Sequence, residues 1–361
     1  MACIFCRKAV NVAAILFKLK ILFKIVMSSH KTDLVIIGAG PVGLFSVFEA
    51  GMLKIKTHVI DSLETIGGQC SALYPEKPIF DIPAHPSILG SELIEKLEEQ
   101  AKPFEPTYHL NQRVNQIVKH DDGSFRIVTS KGVKIDCKVI VIAAGCGAFG
   151  PNRPPLAGIE EFEGNSVFYA VRSKAEFAGK NVVIAGGGDS AVDWALGLSA
   201  IAKKVSVVHR RPKFRCAPEN SDKLNQFAAD GVIDLVVPFQ LDSVSGQDGK
   251  LEFVGVKDFD GNVKQIEADY LLPFFGLSME LGPIADWGLG LEKNHISVDP
   301  ATMQTSVKGI YAVGDIATYK NKLKLILTGF AEVAAACHDA YKIVHPDELF
   351  HFEYSTSKGV S

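Results

Sequence analysis

Two short stretches of this chain carry residue types and spacings that do chemistry together. Thr32 to Gly43 reads TDLVIIGAGPVG, an apolar run that breaks into Gly38, Gly40 and Gly43 around Pro41 and Val42. Val182 to Ala191 reads VVIAGGGDSA and breaks into Gly186, Gly187 and Gly188 before Asp189 and Ser190. Strand, glycine turn and helix in that order bring backbone N–H groups close to a pyrophosphate, and the glycines admit it because they carry no Cβ. One such turn also arises where two backbones merely pack closely. Two turns, with Gly186 placed 148 positions after Gly38, point to two dinucleotides and so to electron transfer.

The two stretches end differently. After the first, a helix over about 41–53 and a strand over 57–60 lead to Asp61, 21 positions past Gly40, where a carboxylate accepts hydrogen bonds from a ribose diol. After the second, a helix over about 189–201 and a strand over 205–208 lead to His209-Arg210-Arg211, with Arg215 close behind. Guanidiniums in place of a carboxylate suit a ribose 2′-phosphate, which they grip by paired charge-assisted hydrogen bonds. The second site is therefore expected to take NADPH.

The remaining elements must position these turns. Alternating segments near 113–119, 124–130 and 133–137 read as strands, 139–143 as a buried strand entering Ala144-Gly145, and 91–101 as an acidic helix. Strands are also expected at 181–185, 233–237, 251–257, 262–266 and 310–312, and an Ala-rich helix over 328–342. The proline-rich piece 151–155 marks a boundary. The fold class is α/β with two dinucleotide-binding, Rossmann-like domains. The first is discontinuous, 31–147 plus 274–340, around a second at 148–273, with 341–361 as a tail.

The composition narrows the function classes. The chain of 361 residues has 47% apolar residues, enough for filled cores, and a net charge of −3, which argues against a nucleic-acid partner. Seven cysteines are scattered with no Cys-x-x-Cys, so neither a disulfide framework nor a zinc site is indicated, and a reducing, cytoplasmic setting is expected. Residues 1–30 are basic and apolar, with lysines interrupting every run; no span of about 20 uncharged residues exists to cross a bilayer. An upstream extension of a chain that starts at Met27, a basic helix on a membrane surface and a targeting segment remain as readings, membrane association being the less expected.

GAGPVG, GGQC…ALYPEK, GGGDSA, HRR and YAVGDIA occur in the order known from two-domain flavoproteins, and over Lys31 to Ala340 the chain resembles the thioredoxin reductase family. The resemblance implies a three-layer ββα form of each domain, with FAD on the first glycine turn and NADPH on the second. It implies that Gln69, Gly145 and Asp315 bind the flavin, Asp315 at the ribitol, and that a helix from near Thr328 aims its N-terminal dipole at the flavin pyrimidine.

The dithiols of that family are absent from this sequence. The positions matching the Cys-x-x-Cys of thioredoxin reductase are Tyr169 and Arg172, and Cys70, which fills the first place of a glutathione-reductase-type pair, is followed by Pro75 where the second cysteine would stand. A lone Cys70 reads as a small buried thiol rather than a redox centre.

Without a dithiol, a reduced flavin must pass electrons directly to an outside acceptor. The chain resembles the thioredoxin-reductase-like ferredoxin–NADP⁺ oxidoreductases, which implies ferredoxin or flavodoxin as partner and a homodimer. It also implies that Tyr74 of Leu73-Tyr74-Pro75-Glu76-Lys77 stacks on the flavin. In the tail, Tyr354 gates the other face, with His351 and Phe352 as rivals, while Ser355 stands beside it in catalysis and Thr356 binds the cofactor. An NADPH oxidase or diaphorase that passes electrons to oxygen or a small acceptor is the alternative. Lys320, Lys322 and Lys324 either help dock an acidic partner or form a solvated face.

Overall fold

Leu34, Val35, Ile36 and Ile37 are four consecutive apolar residues, and all four are buried, as a strand covered on both faces requires. In the computed structural model, which describes residues 29–348, this strand sits inside a parallel sheet. The order is Ile310–Ala312, Val139–Ile142, Leu34–Ile37, Thr57–Ile60 and Thr107–His109. Side chains of successive residues leave a strand on opposite faces, and the core divides accordingly. Leu34, Ile36, Val139 and Val141 pack under the helices Pro41–Met52 and Ile326–Val344. Val35, Ile37, Ile140 and Ile142 pack with Phe125, Ile127 and Ile135 of a second sheet, ordered Ser29–Lys31, Lys134–Cys137, Phe125–Thr129 and Val114–Lys119.

The second unit repeats this layering. Its parallel sheet runs Ile233–Val236, Lys204–Val208, Asn181–Ala185 and Tyr270–Pro273. Val182, Ile184, Val205 and Val207 face a cluster that includes Trp194 and Leu198 of the helix Asp189–Leu198. Val183, Ala185 and Val208 face the antiparallel meander Gln240–Gln247, Lys250–Lys257 and Val263–Glu267. Each unit is thus helix, parallel sheet and second sheet, the three-layer α/β arrangement expected.

By contact, residues 29–71, 78–148 and 280–348 form one unit, and 72–77 with 149–279 form the other. Several elements carry no readable pattern in the sequence. The helix Pro218–Ala229 buries only Leu224, so no apolar stripe marks it, and the strand Gln240–Gln247 has no buried residue. The helix after the second glycine turn ends at Leu198 rather than near 201, because a turn over 199–202 caps it, with Ile201 and Ala202 both donating to the Leu198 carbonyl.

Candidate functional site

In the first unit the glycine turn is shaped by what cannot fit. Gly38 has φ +110°, and a Cβ there would lie 2.3 Å from the Ala143 carbonyl oxygen; a Cβ on Gly43 would lie 1.9 Å from the Gly38 oxygen. Gly40 meets nothing nearer than 3.9 Å, so its lack of a side chain serves open space beside the backbone. Gly40 caps the helix Pro41–Met52, Pro41 starts it without needing an N–H partner, and no acidic residue occupies its first turn. The helix N-terminus is therefore left to an anion. Val42 packs against the Gly314 and Gly329 backbone.

Asp61 follows the strand Thr57–Ile60 and is buried. Its Oδ2 accepts the Ala39 N–H at 2.6 Å and its Oδ1 the Leu63 N–H at 2.8 Å. Burial pushes its carboxyl up, and the N–H groups of Ala39, Leu63 and Ser62 pull it back. A carboxylate has about four lone-pair sites, so these bonds leave capacity for a ribose diol. Gln69 donates to the Cys146 thiol at 3.4 Å, and Gly145, at φ +57°, leaves room beside that amide.

Asp315 lies in a short turn, Gly314–Ile316, directly after the strand Ile310–Ala312 and Val313. Burial pushes the Cys146 thiol up, and the Gln69 amide pulls it back. The Lys324 ammonium lies 2.7 Å from His295 Nε2, and burial and Lys324 together keep that imidazole toward its neutral form. The helix beyond starts at Ile326, two residues before the expected Thr328. The first unit thus brings Gly38, Gly40, Pro41, Val42, Gly43 and Asp61 to one end of its parallel sheet, with Gln69, Gly145 and the Asp315 turn.

In the second unit Gly186 has φ +154°, and a Cβ there would meet the Phe274 oxygen at 2.7 Å. A Cβ on Gly187 would enter the His209 ring at 2.2 Å. The segment carrying Arg215 is stitched to this turn. Arg215 N–H donates to the Gly187 carbonyl at 2.6 Å, Gly188 and Arg215 pair as a bridge, and Asp189 Oδ1 accepts the Ala217 N–H at 2.9 Å. Asp189 and Ser190 open the helix and are exposed. Arg210, Arg211 and Arg215 are exposed and enter no ion pair among the described residues. His209 packs on Phe214 with ring centroids 5.0 Å apart, and burial and the three arginines lower its pKa.

The residues 72–77 group with the second unit. Tyr74 packs against the cluster of Trp194 and Phe177, Glu76 accepts the Lys174 N–H at 2.8 Å, and Lys77 pairs with Asp193 at 2.6 Å. Tyr354, Ser355, Thr356, His351 and Phe352 lie outside the described residues, as does the basic segment 1–28. Cys70, Cys137, Cys146, Cys216 and Cys337 are all thiols outside any disulfide, and Tyr169 donates its hydroxyl to Glu163.

One expectation is corrected. Lys322 does not join Lys320 and Lys324 on a docking face: its side chain is buried in an ion pair with Glu332. Sequence reasoning also missed the cluster of His30, His58 and His109, whose ring centroids lie 5.1 to 5.4 Å apart, since three separated strands bring it together. Among the described residues no helix is long and apolar enough to cross a membrane.

Residues 32–337 match the family model of pyridine nucleotide-disulphide oxidoreductases. A ferredoxin–NADP reductase of Paramagnetospirillum magneticum is 58% identical over 334 residues, which cover 92% of this chain and 99% of that protein. A ferredoxin–NADP reductase of Rickettsia felis is 58% identical over 330 residues, 91% of this chain and 98% of that one. Among solved structures, thioredoxin reductase of Lactococcus lactis superposes with TM-score 0.74 at 27% identity, covering 87% of this chain and 99% of that one. The T. acidophilum thioredoxin reductase does so with TM-score 0.74 at 25% identity, covering 87% and 98%. The flavin and nicotinamide expectations agree with this kinship, since thioredoxin-reductase-like members are FAD- and NADPH-dependent. By sequence along nearly its whole length and by fold, the chain belongs to the pyridine nucleotide-disulphide oxidoreductase family, in the group whose members are named ferredoxin–NADP reductases.

Proposed function

We infer that this protein transfers electrons between NADPH and ferredoxin, or a flavodoxin in its place, by way of bound FAD. The observation that carries the reading is the contrast between the two glycine turns, one ending on a buried carboxylate and the other on three exposed guanidiniums. The residues fit both groups. Gly38 and Gly43 let the backbones of the turn close up, Gly40 leaves open space beside it, and Asp61 keeps acceptor capacity for a ribose. Gly186 and Gly188, with Arg215 stitched beside them, fit a pyrophosphate and a 2′-phosphate.

Bound FAD supplies the exchange between a hydride donor and a one-electron acceptor. The chain's own residues bind and orient. Gly38, Gly40 and Gly43, with the N-terminal N–H groups of Pro41–Met52, hold the diphosphate, and Pro41 and Val42 shape its entry. Asp61 binds the adenosine ribose, Gln69 and Gly145 flank the ring, and Asp315 accepts from the ribitol. Gly186, Gly188, Asp189 and Ser190 bind the NADPH diphosphate, and Arg210, Arg211 and Arg215 take the 2′-phosphate. In this reading the tail residues Tyr354, Ser355 and Thr356 belong to the flavin site, and the protein acts as a homodimer. The dispersed thiols suit a cytoplasmic, reducing setting.

The test is NADPH-dependent reduction of cytochrome c by the purified yellow protein, with and without added ferredoxin. The reading expects ferredoxin to raise the rate by at least about tenfold, a difference of about 1.4 kcal/mol in barrier. Fast oxygen consumption with no response to ferredoxin would replace it with the oxidase reading.

A further inference from the structure

The loop that bears Asp315 is bolted down by a buried carboxylate on the following helix. Glu332 is only 3% exposed. Its Oε2 accepts the Gly314 N–H at 2.7 Å, and its Oε1 accepts the Tyr319 hydroxyl at 2.7 Å and a bond from the Lys322 ammonium. The Lys322 side chain is itself 6% exposed, and its ammonium lies 5.5 Å from the centre of the Tyr319 ring. One side chain thereby ties together Gly314, which opens the Asp315 turn at φ +73°, and residues 319 and 322, which close the loop.

Burying two charges is costly, and an apolar pair of similar volume would commonly serve stability as well or better. What an apolar pair cannot supply is an acceptor for the Gly314 N–H. The helix is also pressed onto the same turn one helical step earlier. A Cβ on Gly329, three residues before Glu332, would lie 2.5 Å from Val42 Cγ2 and 3.4 Å from Gly314 Cα. Residues three apart share a helix face, so Glu332 and Gly329 fix the Asp315 turn relative to the first glycine turn.

We propose that Glu332, with Lys322 as its counter-charge, is a positioning residue of the flavin site, holding the Gly314–Ile316 turn so that Asp315 is presented to FAD. The proposal rests on the reading that Asp315 belongs to that site. Its role is to set where the turn sits, since Glu332 has both carboxylate oxygens engaged within the protein.

Two double variants separate positioning from mere stability, because neither retains a buried charge. Glu332→Gln with Lys322→Met keeps an acceptor for the Gly314 N–H; Glu332→Leu with Lys322→Met does not. Retention of FAD is measured on diluted holoprotein by the fluorescence of released flavin, after far-UV circular dichroism has confirmed the fold. The leucine variant is expected to release FAD with a Kd raised at least about tenfold, and the glutamine variant to stay within about threefold of wild type. Equal Kd values for the two would overturn the proposal.

Should the leucine variant fail to fold, Glu332→Gln alone, which strands the Lys322 ammonium, is compared with the Gln/Met double. The visible circular dichroism of the bound flavin should shift in the single variant and return in the double; identical spectra and Kd values in the single variant and wild type would overturn the proposal. Wild-type protein isolated without FAD, and unable to bind it, would remove the underlying reading and the proposal with it.

Discussion

The two glycine turns have the same backbone plan and opposite electrostatics. In the first, the acid at the strand end is buried and ties its own turn together, taking N–H groups from Ala39 and Leu63. In the second, the basic residues at the equivalent place are exposed, and the acid that does the tying, Asp189, has moved to the helix start, where it holds the Arg215 segment through Ala217. A site for a neutral ribose diol can use its polar group as part of the scaffold. A site for a dianionic phosphate must keep its cations in reserve, and so needs a separate residue as the tie.

The largest effects should come from crowding the backbones of the two glycine turns. Gly43→Ala, whose Cβ would collide with the Gly38 carbonyl, is expected to abolish FAD binding, read as loss of the yellow chromophore on purification. Gly186→Ala should leave the flavin bound and slow its bleaching by NADPH by about a hundredfold or more, measured by stopped flow. If Gly186→Ala also lost the flavin on purification, the two turns would not be separate sites.

Next in size is Asp61→Ala, which orphans two N–H groups at once and should cost about 1–3 kcal/mol of stability in a thermal melt. Asp189→Ala loses an exposed bond worth about 0.5–1.5 kcal/mol at most, and its signature should be a raised KM for NADPH as Arg215 loosens. A larger stability loss for Asp189 than for Asp61 would reverse the contrast between the two turns.

How much of this was legible beforehand depended on how local the cause was. The strand Leu34–Ile37, the glycines and the strand ends at Asp61 and Arg210 were readable because a four-residue apolar run and a turn are specified by neighbours in sequence. The burial of Lys322 was not, because a lysine in the stretch Lys320 to Lys324 reads as surface until the helix bearing Glu332 folds over it. Glu332 itself sits in an Ala-rich helix with no local sign that it faces inward. The cluster of His30, His58 and His109 joins residues of strands far apart in sequence, one from the second sheet of its unit and two from the parallel sheet.

The smallest effect sharpens the comparison at two histidines near the strand ends. His109, whose carbonyl accepts the Asp61 N–H, is pushed down to about 4 by burial and by His58 and His30. His209 is lowered by burial and the arginines. A folded-state pKa below the unfolded value near 6.5 means that the unfolded chain binds more protons in acid. The stability tied to His109 is therefore present above about pH 6.5 and lost as pH falls toward 4. His109→Gln should flatten the decline of Tm over that window, by less than about 1 kcal/mol at pH 6. An unchanged Tm–pH profile would show that His109 is not the group that titrates.

The central claim is that the second turn, and not the first, recognises a 2′-phosphate, and it is tested most directly by the ratio of kcat/KM for NADPH to that for NADH. Arg210→Ala with Arg211→Ala is expected to lower this ratio by at least about a hundredfold, through KM for NADPH, while NADH values and bound FAD stay as in wild type. An equal loss with both nucleotides would contradict the account.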